Sequence, residues 1–472
     1  MMWEKADMAR NIVIFSDGTG QRGGVLVDER RSNIYKLYRA TRVAPDSCVN
    51  PADQTAFYDA GLGTLPGGID SPAALARSLY NLASQATGMG ITRNIVECYA
   101  ALVRLWRPGD RIFLFGFSRG AYTMRCLGGV LKLCGVPTTG EKGAPLKRDA
   151  SSALKIAKEA VAVYNYTNSR PESDRTDRQK ELLGHRALLA ARFRKTYNSG
   201  GSGGGDARPW FLGVFDTVAS LANPVAIAML TMIALVMVAA CSVVAYWVTG
   251  EYWRWFGIIT ATLTGIGLGF NIASRFKVAF GLPGIRWWRT IHFASARMKM
   301  YDTELDEKVQ YARHALSIDE ARASFARVPW GIPGQWRGGD PAWFEQLWFA
   351  GNHSDIGGSY PEDESRLSDV ALDWILGAAS AVGLKYDPTV LRLHPDALGM
   401  QHDETRGIVF RFARKRLRTL KTNAPLHPSV LDRLAADEVD QFGLSAPYRP
   451  ENLRTHDNAK GHYTVKDVPH AQ

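Results

Sequence analysis

The chain has 472 residues, of which 46% are hydrophobic and 22% charged, and it carries a formal net charge of +11. These fractions are those of a folded globular protein, and the positive net charge favours an anionic partner. The densest basic run lies at 411–418, and no recognisable nucleic-acid-binding module surrounds it. We therefore expect a solvated or lipid-facing surface there and no nucleic acid partner. The five cysteines show no CxxC or Cys/His spacing, so we expect reduced thiols, a cytoplasmic origin, no metal site and no cofactor.

The first predicted strand covers Asn11–Phe15 and leads into a polar loop that contains Asp17, Gly18 and Thr19. Apolar residues at helical spacing then predict a helix over 91–106.

The most informative motif is Gly116-Phe117-Ser118-Arg119-Gly120. It follows the strand-forming residues 111–115 and precedes a predicted helix at 121–134. A strand, Gly-x-Ser-x-Gly and a helix in this order predict a nucleophile elbow, a sharp turn that exposes the serine hydroxyl. The alternative is a Gly-Ser turn between two buried elements.

Further along the chain, the sequence predicts helical structure over 150–195 and a flexible glycine- and serine-rich loop at 198–206. Two more strands end at polar residues: Trp210–Phe215 ends at Asp216, and Leu347–Gly351 ends at a loop that contains His353. Alternating helices and strands of this kind predict an α/β fold, with a mostly parallel sheet, helices on both faces and a site at the carboxyl edge of the strands.

Two long uncharged runs interrupt this pattern. Val225–Val248 and Trp255–Ser274 each reach the roughly 20 residues that a helix needs to cross the hydrocarbon core, and the link between them is rich in Trp and Tyr, which are typical of the membrane interface. We therefore expect an inserted transmembrane hairpin; the alternative is a buried soluble hairpin. By the positive-inside rule, the basic residues after the hairpin predict an inner-membrane protein whose catalytic domain faces the cytoplasm; they are Arg275, Lys277, Arg286 and Arg289.

The second run carries small residues at every fourth position, which places them on one face of a helix. We expect this stripe to let another helix approach closely, with the first helix of the hairpin as the natural partner and a second copy of the protein as the alternative. Its members are Gly257, Ala261, Gly265, Gly269 and Ala273.

Three residues form a candidate catalytic set. Ser118, Asp216 and His353 follow predicted strands and occur in the order of serine, acid and histidine that α/β-hydrolases use. A serine hydroxyl needs a base to remove its proton and a carboxylate to orient that base. Asp355 and His427 remain the alternative acid and the alternative base.

The loop after the first strand supplies further candidates. We expect the amide of Arg119, together with that of Gly18 or Thr19, to stabilise an oxyanion, while Asp17 shapes the loop beside the serine. A metal-dependent hydrolase that uses Asp17, His353 and Asp355 is another hypothesis, although no known ligand spacing supports it.

Six motifs along the chain belong together: Phe15–Thr19, Gly116–Ala121, Gly213–Val218, Ala315–Glu320, Trp348–Gly358 and Leu367–Asp369. In combination they resemble one family, the α/β-hydrolases of the domain-of-unknown-function type that includes the type VI secretion phospholipase effectors of the first Tle class. The likeness extends from about Asn11 to Pro450. The resemblance implies an α/β-hydrolase fold and phospholipase A activity on membrane glycerophospholipids, with Ser118 as nucleophile, His353 as base and Asp216 as acid.

The sequence therefore predicts a membrane-anchored serine ester hydrolase whose substrate is membrane phospholipid. The hairpin distinguishes this chain from secreted effectors and favours action at the inner leaflet of the host's own membrane. The alternative is a membrane-tethered binding or signalling module on a catalytically idle hydrolase fold. The predicted organisation is an N-terminal hydrolase part at 1–223, the hairpin at 224–274, and a C-terminal hydrolase part with a cap at 275–472.

Overall fold

The computed structural model describes residues 9–18, 30–61, 90–167, 175–218, 224–294, 304–328, 330, 343–406 and 414–463. Within these residues, six strands form one sheet in the spatial order β2-β1-β3-β4-β5-β6, and every neighbouring pair is parallel. The strands are β1 (Asn11–Ser16), β2 (Gln54–Asp59), β3 (Arg111–Phe117), β4 (Pro209–Phe215), β5 (Tyr311–Ser317) and β6 (Phe344–Phe349). The predicted α/β fold with a mostly parallel sheet is confirmed.

The α-helices of the described residues are α1 (Asn33–Thr41), α2 (Ile91–Leu105), α3 (Arg119–Cys134), α4 (Ala150–Tyr164), α5 (Asp177–Thr196), α6 (Pro224–Thr249), α7 (Tyr252–Arg275), α8 (His353–Gly357), α9 (Arg366–Ala381) and α10 (Pro428–Ala435). The region predicted as helical at 150–195 thus contains two helices. Two short antiparallel pairs lie outside the sheet: Phe276–Lys277 with His292–Phe293, and Val439–Gln441 with Leu444–Ala446.

Apolar side chains fill both faces of the sheet. In β1, Ile12 and Ile14 belong to the core that contains α2, α3, α4 and α5, whereas Val13 and Phe15 belong to the core that contains α1 and α9. All four side chains are fully buried. Successive side chains of a strand point to opposite faces, so this alternation places helices on both sides of the sheet, as the sequence indicated.

The glycine-rich segment 198–206, expected to be a flexible loop, contains a 3-10 turn at Gly201–Gly203. It packs closely against the end of α3, where the Ser199 hydroxyl donates a hydrogen bond to the Cys134 carbonyl. The five cysteines are free thiols, of which Cys48 and Cys241 are exposed.

Helices α6 and α7 form a hairpin, and both are long and apolar enough to cross a membrane. Most of the large apolar side chains that the structure describes on these helices face outward: Val244 is 67% exposed and Leu263 is 52% exposed. The structure therefore does not bury the hairpin in the core of the described chain.

Sequence reasoning also gave α6 as the natural partner of the small-residue stripe on α7, and this was wrong. A Cβ atom added at Gly265 or Gly269 would meet no atom of the described part of the chain within 4 Å. Because α6 is apolar on all sides, the sequence could not show which face of α7 it contacts.

Candidate active site

Ser118 lies at the tip of a sharp turn between β3 and α3. Its backbone has φ 59° and ψ −121°, a conformation that a residue other than glycine rarely adopts and that functional sites stabilise at a cost of about 1–3 kcal/mol. The two flanking glycines are needed for close packing, since a Cβ atom at Gly116 would lie 2.5 Å from the Gly120 carbonyl oxygen and one at Gly120 would lie 2.0 Å from the Ser16 carbonyl oxygen. The turn has the geometry expected of a nucleophile elbow.

The structure brings Ser118, His353 and Asp216 into one hydrogen-bonded chain. The Nδ1 atom of His353 lies 2.5 Å from Asp216 Oδ2, and its Nε2 atom lies 2.8 Å from Ser118 Oγ. An ionised carboxylate can only accept, so Nδ1 carries the proton and Nε2 is left to accept the proton of the serine hydroxyl. All three residues lie at the carboxyl edge of the parallel sheet, after β3, β4 and β6, and each is less than a tenth exposed.

A fourth residue, Arg418, completes this arrangement. Its guanidinium donates to both carboxylate oxygens of Asp216, at 2.5 and 2.9 Å, and also to the carbonyl of Ser317. Burial by itself would raise the pKa of Asp216, but the charge of Arg418 and the hydrogen bond from His353 hold that pKa well below its usual range. Asp216 is therefore ionised at neutral pH, although it is fully buried.

Sequence reasoning missed Arg418 because this residue is the last of the basic run at 411–418, and the whole run was interpreted as surface. Its neighbours at 414–417 are exposed, whereas Arg418 is only 7% exposed. Nothing in the composition of the run separates the two kinds of arginine.

The imidazole of His353 is held on several sides. Phe117 and Phe325 pack against its ring, with centroid distances of 4.6 and 5.0 Å. Its backbone amide donates to the carboxylate of Glu320, which pairs with Arg322. These contacts restrict the ring to the orientation that reaches both Ser118 and Asp216.

The alternative acid and base lie elsewhere. The Asp355 carboxylate accepts a hydrogen bond from the backbone amide of Asn352 and lies 2.8 Å from Nδ1 of His402, so it orients a different histidine. His427 caps the N-terminus of α10 and stacks on Phe349, and burial lowers its pKa to about 4. Neither residue joins the chain that contains Ser118.

The residues that follow β1 lie against the elbow, where the Asp17 backbone carbonyl is close to Gly120. The Asp17 carboxylate accepts hydrogen bonds from the hydroxyls of Ser32 and Tyr58 and from the Gly18 amide. Burial raises the pKa of Asp17 to about 7 even though these hydrogen bonds oppose the shift. The Gly18 amide, a predicted oxyanion donor, is thus directed at Asp17, and Thr19 lies outside the described residues.

The metal hypothesis required Asp17, His353 and Asp355 to converge. Their side chains are directed to different partners, and among the described residues no group of three or more His, Cys, Asp or Glu side chains is arranged to hold a metal ion.

Comparison with known proteins identifies one matching family model, described as "T6SS, Phospholipase effector Tle1-like, catalytic domain". It matches residues 10–251 and 277–378, which together exceed half of the chain. The unmatched residues between the two segments correspond to α7.

Individual relatives are more distant. "Uncharacterized protein YEL023C" of Saccharomyces cerevisiae is 28% identical over 217 residues, which are 45% of this chain and 27% of that protein. The chain therefore spans about a quarter of the length of this relative. Among solved structures, an uncharacterised protein from Pseudomonas aeruginosa aligns with TM-score 0.36 and 16% identity, covering 81% of this chain and 47% of that one. The Tle1 effector bound to the VgrG spike aligns with TM-score 0.34 and 14% identity, covering 83% and 78%.

Proposed function

Because the chain belongs to the family of Tle1-like phospholipase effector catalytic domains of type VI secretion, as its motifs indicated, we propose that it is a membrane-anchored serine hydrolase of glycerophospholipid acyl esters. The observation that carries the proposal is the hydrogen-bonded chain of Ser118, His353 and Asp216 on a strained elbow. The family supports phospholipid as the substrate class, and the geometry supports a serine nucleophile.

In the proposed reaction, the Ser118 hydroxyl attacks the acyl carbonyl carbon while Nε2 of His353 takes its proton. Asp216 keeps Nδ1 protonated and stabilises the imidazolium that forms. The Arg119 amide, at the N-terminus of α3, would donate to the oxyanion, where the helix dipole also favours negative charge. His353 then returns the proton to the leaving alcohol. Water hydrolyses the acyl-enzyme by the same steps, releasing the fatty acid and restoring the serine.

The hairpin α6–α7 is proposed to anchor this site in the inner membrane, with the hydrolase domain facing the cytoplasm. The outward-facing apolar side chains of both helices and the basic residues that follow α7 support this placement. Deleting Val225–Ser274 should move the protein from the membrane fraction to the soluble fraction. A full-length protein that is soluble without detergent would contradict the anchor while leaving the hydrolase proposal intact.

A fluorophosphonate probe tests the proposed nucleophile, because only an activated serine reacts with it. We expect wild-type protein to be labelled and to hydrolyse both phospholipid vesicles and a water-soluble short-chain ester, and Ser118→Ala to lose both properties while remaining folded. Ser354→Ala is the matched control, since this serine neighbours His353 but its hydroxyl is outside the hydrogen-bonded chain. Absence of labelling and hydrolysis in folded wild type would favour the binding module on an idle hydrolase fold.

A further inference from the structure

The segment that follows α7 exposes an unusual number of aromatic rings. Residues 275–294, which we call the aromatic platform, leave five large aromatic side chains between 43% and 64% exposed: Phe276, Phe280, Trp287, Trp288 and Phe293. The rings pack on one another, with centroid distances of 5.8 Å for Phe276–Phe293, 6.0 Å for Phe280–Trp287 and 5.9 Å for Trp287–Trp288. They form two groups on the outside of the protein, Phe276 with Phe293 and Phe280 with Trp287 and Trp288.

The backbone of the aromatic platform is fixed to the hydrolase domain. From α5, Arg192 donates to the carbonyl of Phe280, and Arg178 donates to the carbonyls of Arg289 and Ile291. Within the platform, the buried Thr290 hydroxyl accepts a hydrogen bond from the Ala279 amide and lies within hydrogen-bonding distance of the carbonyls of Ala279 and Trp287. The Ala294 amide donates to the Arg275 carbonyl, which joins the two ends of the platform. The rings are therefore held outward by a defined backbone, so their exposure is a property of the fold.

The charge of the aromatic platform is entirely positive. Residues 275–294 contain four Lys or Arg side chains and no Asp or Glu, and the Arg286 guanidinium lies 5.3 Å from the centre of the Trp288 ring. Aromatic rings among Lys and Arg are typical of protein surfaces at the headgroup level of a bilayer, where the ring is partly immersed and the cation meets anionic lipid.

We propose that the aromatic platform is a docking surface for an anionic lipid bilayer, which fixes the orientation of the hydrolase domain on the membrane. Two observations select lipid as the occupant. The platform continues directly from the last residue of α7, Arg275, so a hairpin that spans the bilayer leaves it at the interface, and its positive charge complements anionic headgroups. This inference rests on the proposed membrane anchoring.

The platform can be tested with an environment-sensitive fluorophore, NBD, attached to single cysteines in the full-length protein. Phe293→Cys reports on the platform, in a background with Cys48→Ser and Cys241→Ser that leaves no other exposed cysteine. Leu444→Cys is the matched control, because Leu444 is 63% exposed against 64% for Phe293 and also lies in a short antiparallel pair. The native Cys241, labelled with only Cys48 replaced, reports on the hairpin. Hydrolysis of a short-chain ester checks that each labelled protein is folded, and Trp288→Cys replaces Phe293→Cys if that variant fails this check.

In vesicles of phosphatidylcholine and phosphatidylglycerol, NBD at position 293 should shift its emission to the blue and be quenched by lipid carrying a doxyl group near the headgroup, whereas NBD at 444 should remain water-like. Arg286→Gln combined with Arg289→Gln should weaken docking on these vesicles by roughly 25-fold, since each basic side chain near an anionic surface contributes about five-fold.

Three outcomes would overturn the proposal. A blue shift at Cys241 with water-like emission at 293 means that the hairpin inserts and the platform does not dock. A blue shift at 293 without quenching by lipid means that protein, such as a second copy of the chain, covers the platform. Water-like emission at both Cys241 and position 293 means that the membrane anchoring itself fails.

Discussion

The Arg418 guanidinium should be required for the stability of the fold. It makes four hydrogen bonds, two to Asp216 and one each to the carbonyls of Ser317 and Phe325. At about 1.5–3 kcal/mol for a hydrogen bond to a charged group, four would contribute at most roughly 6–12 kcal/mol. Relaxation and water entry reduce this figure, and removing one partner of a buried ion pair typically costs about 3–5 kcal/mol. We expect Arg418→Met to lower the free energy of unfolding by that smaller amount.

The same substitution should change the pH dependence. In wild type, the pKa of Asp216 is depressed, so its contribution to stability is present above its unfolded pKa of about 3.9 and is lost only as the pH falls through the lower folded value. Without Arg418, the burial of Asp216 is opposed only by its remaining hydrogen bonds, and its pKa rises. The carboxylate then takes up a proton at higher pH, so kcat/KM should begin to fall at higher pH than in wild type. The loss of stability that Asp216 causes on acidification should become smaller, because its folded and unfolded pKa values lie closer together.

Urea unfolding of the full-length protein in detergent micelles measures the first effect, and kcat/KM for a water-soluble ester as a function of pH measures the second. Arg416→Met is the matched control: it lies in the same basic run, its side chain is exposed, and it should change the free energy of unfolding by less than about 0.5 kcal/mol. The reasoning is refuted if the two variants unfold at the same urea concentration and share one pH profile.

Three further predictions concern the elbow and the carboxylates. Gly120→Ala should abolish folding or activity because its methyl group would lie 2.0 Å from a backbone oxygen, whereas Gly377→Ala, on the open face of α9, should leave the urea midpoint unchanged or higher. Asp216→Asn should lower kcat by about 10⁴-fold, as loss of the orienting acid does in a triad, and Asp355→Asn by less than about ten-fold. Because burial raises the pKa of Asp17 to about 7, this residue makes stability fall as pH rises from about 4 to about 7, and Asp17→Asn should flatten that slope in urea midpoints.

The elbow was predictable because all of its information is local. A strand, two glycines around a serine and a helix are consecutive in the chain, and the close approaches at Gly116 and Gly120 explain why no larger residue stands there. The positions of Asp216 and His353 followed from one general rule, that parallel strands gather their carboxyl ends at a single edge. To predict the position of Asp216 or His353, it was enough to assign the preceding strand correctly.

The partners of these residues were not predictable in the same way. Arg418 reaches Asp216 across 202 residues of chain, from a segment whose charged neighbours are exposed. Likewise, Asp355 lies two residues from His353 in sequence but pairs with His402, 47 residues away. Such contacts depend on how the C-terminal segments cross the sheet edge, and the periodicity of the sequence does not predict this tertiary arrangement.

The distribution of the basic residues also changes how the net charge is interpreted. Composition alone favoured a single cationic surface, whereas the structure separates two roles: Arg418 neutralises a buried carboxylate, and the aromatic platform presents its cations beside α7. Of these two, only the second reaches the surface, as do other basic residues such as Arg414 and Arg416. Contributions of the positive charge to lipid binding should therefore be assigned from the exposed residues and not from the total of +11.

The strand β4 links the proposed chemistry to the proposed anchor. Asp216 follows its last residue, and only residues 217–223 separate this carboxylate from Pro224, where α6 begins. Eight fully extended residues span at most about 28 Å. The start of the hairpin therefore lies within this distance of the acid that orients His353, so a bilayer that contains the hairpin must pass close to the carboxyl edge of the sheet. A soluble hydrolase would have to find its lipid surface by diffusion, whereas this connection would keep Ser118 within reach of one throughout the life of the protein.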